Sequence, residues 1–210
     1  HVINWVHRST RGWSTGGAIT DPRTGEIIKG VVTLGSLRVR QDYLIAEGLL
    51  SPYANGDENP PLLQEWALAR LRQLSAHEVG HTLGLSHNFR ASTIYTQAQL
   101  SNPEFTREHG ISGSVMEYNP WNLALQDEPQ GAYNMHSLGP YDYWAIEYGY
   151  KPIAPEEEEG ELARIAARSN ERELAFAMDD TLFYSGLDPD ANTFDLGDDP
   201  QVGFEARDAI

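Results

Sequence analysis

Apolar and polar positions alternate from His1 to His7, where Val2, Ile3, Trp5 and Val6 carry strand propensity, and this predicts a first β-strand. Ala18-Ile19-Thr20 and Glu26-Ile27-Ile28 flank Asp21-Pro22-Arg23-Thr24-Gly25, a turn composition that predicts a β-hairpin. Gly30 to Arg40 continues as a β-rich run, and Gln41 to Leu50 has the composition of a short helix. The period then changes. Leu63, Ala67, Leu71 and Leu74 fall at i, i+4, i+8 and i+11, one stripe of an α-helix, with Asn59 as its cap and Pro60 and Pro61 in its first turn. That helix should run through His77 and stop near Gly84, a residue that takes a left-handed conformation without steric cost.

Asn88 to Gly113 is polar and irregular, with Pro103 and Gly110 as breakers. A helix is expected from Gly139-Pro140 through Tyr141, Trp144, Ala145 and Ile146 to Gly149. Beyond Lys151-Pro152 the acids Glu156 to Glu159 suit the first turn of a helix continuing over Leu162 to Ala167. The stretch from Asp179 to Asp199 is turn-rich and acidic.

Charge divides the chain at the same place. The formal net charge is −16, and residues 151–210 hold 16 acids against 5 bases, leaving 15 against 10 for residues 1–150. We therefore expect a domain over 1–150 and an acidic C-terminal extension over 151–210. A surface this acidic argues against a nucleic-acid partner. No apolar run is long enough to span a membrane. The absence of cysteine leaves any metal to be held by His, Asp, Glu or Tyr. The chain starts at His1 without a signal segment, and we expect it to be part of a longer protein.

Residues 77–87 read HEVGHTLGLSH. On a helix His77 and His81, four apart, leave the same face and can grip one ion. Glu78 is rotated by about 100° and can reach a water at that ion as general base. After the turn at Gly84, His87 returns as a third ligand. Three imidazoles leave a fourth tetrahedral position open, the arrangement of a catalytic zinc site.

HEVGHTLGLSH resembles the metzincin zinc motif in full, and Ser114-Val115-Met116-Glu117-Tyr118 resembles the Met-turn that follows it. Asp142 to Ile146 with Tyr148-Gly149 resembles the closing helix of serralysin-like catalytic domains. Across its length the chain is most similar to large bacterial zinc-dependent metalloproteases. The resemblance implies an α+β fold: a mixed twisted sheet, a long active-site helix, a Met-turn and a C-terminal helix. It also implies a preceding strand and helix outside this sequence.

By the same resemblance Met116 forms an apolar floor beneath the histidines. Tyr118, placed as in astacin-like and serralysin-like members, acts as a switching fifth ligand and transition-state donor. Asn88, directly after the third histidine, departs from astacins, serralysins, matrixins and adamalysins alike. The implied activity is zinc-dependent hydrolysis of an extended polypeptide, secreted or periplasmic. An edge strand in Gly30–Leu37, at Thr33, Leu34 and Gly35, is expected to pair with the substrate. The alternatives are a non-catalytic zinc-binding or protein-interaction module, and hydrolysis of a non-peptide amide. Asp188, Asp190, Asn192 and Asp199 are spaced like part of a calcium loop, although Thr193 stands where the loop has Gly.

Overall fold

The computed structural model describes residues 1–8, 10, 12–50, 60–124, 128–180 and 188–199. The expected cap at Asn59 lies outside them. The fold is α+β and divides into two compact units, His1–Leu85 and from Ser86 onward.

The first unit holds three strands and two helices: β1 (Val2–Val6), β2 (Thr15–Thr20), β3 (Ile27–Gly35), α1 (Leu37–Leu50) and α2 (Pro60–Thr82). The expected hairpin joins β2 to β3, and Asp21 N–H and Gly25 N–H close its turn on Glu26 O and Asp21 O at 2.9 and 2.8 Å. The sheet is mixed, in the order β1-β3-β2, with β1 parallel and β2 antiparallel to β3.

This order corrects one expectation. Thr33, Leu34 and Gly35 belong to the central strand: they pair with Asn4, Trp5 and Val6 of β1, and Thr33 also pairs with Thr15 of β2. The edges are β1 and β2. Leu37 to Arg40 is a second correction, since these residues form the first turn of α1 rather than extending β3. Arg38 gains there an i,i+4 ion pair with the fully buried Asp42, at 3.0 Å, which an extended backbone would not supply.

Alternation along β3 turns Val32 and Leu34 inward, and α2 packs against β2, β3 and α1. From the expected stripe of α2, Leu63 and Ala67 are buried with Trp66, whereas Leu71 and Leu74 are half-buried. Further along the helix the buried side chains are polar: Gln73, His77 and Glu78. What helix α2 buries thus changes from apolar to polar along its own length.

The second unit contains no strand among its described residues. Its α-helices are α3 (Gln97–Leu100), α4 (Pro103–His109), α5 (Pro140–Tyr150) and α6 (Glu158–Ala166). Helices α3 and α4 occupy part of the segment expected to be irregular. Thr96 starts α3 with a capping box closed by Gln99, and Asn102 caps α4 ahead of Pro103. The segment beyond residue 150 packs inside this unit through its backbone and apolar side chains, while most of its described acids stay exposed: Trp144 of α5 donates its indole N–H to Ile165 O at 2.8 Å, and Phe89 N–H donates to Ala177 O at 2.7 Å. Among the described residues no helix is long and apolar enough to cross a membrane.

Candidate metal centre

The last turns of α2 put the two imidazoles of His77 and His81 side by side, ring centroids 4.8 Å apart and edge to face. The helix then ends in a Schellman motif. Gly84 takes φ 91°; its N–H donates to His81 O and Leu85 N–H donates to Gly80 O, both at 3.1 Å. The reversal also positions Leu85 O, 2.9 Å from Nδ1 of His81. A carbonyl only accepts, so Nδ1 carries the proton and Nε2 of His81 keeps its lone pair.

Two residues after the turn stands His87. Nitrogens of His77, His81 and His87 lie within 4.8 Å of one another, the one such cluster of His, Cys, Asp or Glu among the described residues. A tetrahedral ion with bonds of about 2.0–2.1 Å needs its nitrogens about 3.3 Å apart, a contraction within the reach of small ring rotations. Three borderline-soft neutral nitrogens with no thiolate and no carboxylate among them fit zinc.

Glu78 is 5% exposed. Burial pushes its carboxyl up to about 7, and the N–H of Gly16 on β2, donating to it, opposes that rise. The approach of β2 to α2 is close. A Cβ at Gly16 would collide with the main-chain carbonyl of Glu78, so the contact requires glycine there. Sequence reasoning identified Glu78 but not Gly16, whose Gly-Gly context in a strand was the available signal.

The Met-turn is held by polar side chains. Asp142, in the first turn of α5, accepts from Ser114 Oγ at 2.6 Å, Val115 N–H at 2.9 Å and Gly139 N–H at 2.8 Å. Burial raises the Asp142 carboxyl and these three bonds oppose the rise. Ser114 Oγ in turn accepts from Met116 N–H at 3.0 Å. Met116 is fully buried, and its carbonyl accepts from the N–H of Asn88 at 3.2 Å, next to the third histidine.

Tyr118 has its ring 4.6 Å from that of His87 and 5.4 Å from Phe89, and Phe194 stacks on it at 6.1 Å. Glu117 accepts from the N–H of Tyr118 at 2.8 Å, its carboxyl raised well above the usual carboxylate range by burial and by Asp195. Around His87 the sequence reading missed a partner: both carboxylate oxygens of Asp179 lie 2.9 and 3.0 Å from its Nδ1. The acids of the proposed calcium loop have a different neighbour. Arg90 reaches Asp188 at 3.1 Å and Asp190 at 3.0 Å, so the chain's own cation stands at those carboxylates.

A family model described as Met-zincin matches residues 59–207, a range containing all three histidines, Glu78, Met116 and Tyr118. No curated protein and no solved structure matches the chain.

Proposed function

The chain belongs to the Met-zincin family, and from that premise we propose that it is a zinc-dependent endopeptidase with Glu78 as its general base. The family and the histidine cluster together make it a zinc-peptidase-like module. The observation that carries the further step is Glu78: a buried carboxylate beside the first histidine, held by a strand amide and pushed up to about 7. A module that only binds metal has no use for such a group.

His77, His81 and His87 would hold the zinc. When bound, zinc supplies the Lewis acidity that polarises a substrate carbonyl and acidifies water. Glu78 takes the proton of the attacking water and returns it to the departing amine, work for which a buried carboxylate next to the first histidine is placed. Tyr118, with a phenol beside the third histidine, donates a hydrogen bond to the oxygen that gains charge. Among the described residues β2 is an edge of the sheet with which an extended substrate would pair, and its Gly16 already touches Glu78. Main-chain pairing there would put a peptide alongside the base whatever its side chains.

The test is digestion of a broad peptide library by the zinc-loaded protein and by its Glu78→Gln variant, read by mass spectrometry. Cleavage by the first and its loss in the second is the expected result. Cleavage that persists in Glu78→Gln assigns the activity elsewhere, and zinc-loaded protein that cleaves nothing favours a binding module.

A further inference from the structure

We infer that Asp179 is a positioning residue for the third metal ligand, fixing the ring of His87 so that Nε2 is the nitrogen offered to a cation; the inference rests on the metal reading above. The two other candidate arrangements for His87 would be a free ring or a backbone acceptor like that of His81. Instead a carboxylate 92 residues further along the chain places both oxygens on Nδ1. An ionised carboxylate accepts and does not donate, so the bond selects the Nδ1–H tautomer. The remaining nitrogen is then the ligand, and the negative partner raises its basicity.

The delivery of Asp179 is built, not incidental. Asn88, the residue by which this motif departs from the named subfamilies, is fully buried. Its carboxamide donates to Ala175 O at 2.9 Å and accepts from Ala177 N–H at 3.2 Å. Phe89 N–H closes the pairing on Ala177 O at 2.7 Å. Phe89, Ala177 and Ala191 share one apolar cluster beneath these bonds. Two residues after Ala177 the side chain that arrives is Asp179. The residue following the third histidine thus grips the strand of chain that carries the histidine's partner, which gives Asn88 a role where the family resemblance had none.

Two measurements test this. In metal-free protein with ¹⁵N-labelled histidine, the imidazole nitrogen shifts of His87 should report a proton on Nδ1, and Asp179→Ala should lose that pattern. By chelator competition, Asp179→Ala should bind zinc about 10- to 100-fold more weakly than wild type. Asp179→Asn, which keeps an acceptor oxygen, should recover most of the affinity and the tautomer. A wild-type ring protonated on Nε2 overturns the inference without recourse to any variant, as does zinc affinity in Asp179→Ala within twofold of wild type. Wild-type protein that takes up no zinc would refute the metal reading itself, and the tautomer would then separately decide whether Asp179 holds the ring.

Discussion

The two compact units position their functional residues by different means. In the first, placement follows from periodicity: four residues along one helix carry His77 to His81, a Schellman turn sets the next carbonyl, and the strand alternation that buries Val32 and Leu34 packs the sheet on α2. In the second, short helices and loops are held by buried side chains reaching distant backbone. Of the buried polar residues among those described, four (Asp42, Gln73, His77 and Glu78) lie in the first unit and twelve in the second. Buried apolar residues number six and fifteen in the same two units, so the polar share is similar, and what differs is how the buried polar groups are reached: along a helix in the first, across long stretches of chain in the second. His81 and His87 show the contrast in miniature: one ring is oriented by a carbonyl four residues away, the other by a carboxylate 92 residues away.

The largest expected effect falls on the periodic side. His81→Ala removes a ligand that the helix alone positions, and zinc content by metal analysis and peptidase activity should both be lost. Glu78→Gln, on the same helix, should lower activity by about 10² or more with zinc content unchanged. Its stability should move the other way. The Glu78 carboxyl sits at about 7 in the fold against 4.5 ordinarily, so between those values the folded state keeps a proton that the unfolded chain has released. Stability of the metal-free wild type then falls as pH rises through that window, by at most about 3 kcal/mol. The melting temperature of metal-free Glu78→Gln relative to wild type should accordingly rise from about pH 4 to about pH 8.

Two substitutions compare the units directly by denaturant unfolding. Leu63→Ala opens a cavity under α2 and should cost about 2–5 kcal/mol. Asp142→Ala removes few apolar contacts but strands the donors Ser114 Oγ, Val115 N–H and Gly139 N–H, and should cost about 3 kcal/mol. A cost near zero for Asp142→Ala would break the contrast drawn here. The smallest effect is expected at Tyr118, where Phe substitution should lower kcat and kcat/KM together by about tenfold.

What could be read from the sequence divides along the same line. The histidine spacing, the stop at Gly84 and the α5 helix are local signals, each written within a few turns of chain, and the structure reproduces them. Strand order is not local: β3 has the composition of an edge or a centre equally, and only the placement of β1 decides that Thr33, Leu34 and Gly35 are central. Nor is the choice of counter-ion. Asp188 and Asp190 stand at alternate positions, and Arg90, 98 and 100 residues earlier, is a cation that the fold brings to them. Asp179 and Asp142 were invisible as functional partners for the same reason, since nothing near either residue in sequence names the histidine or the turn it serves.

The bond from Asp179 to His87 also sets an order in time. A chain synthesised at about 5–20 residues per second exposes His77, His81 and His87 together, and the carboxylate that orients the third ring follows about 5–20 s later. Closing a loop of that length is a late event for a folding chain, because the ordering cost comes before the contact repays it. The nascent protein thus has its histidines long before it has the finished ligand set, and its grip on metal tightens only as residues 175–179 dock on Asn88 and Phe89. Synthesis itself delays the moment at which the histidine cluster can be completed.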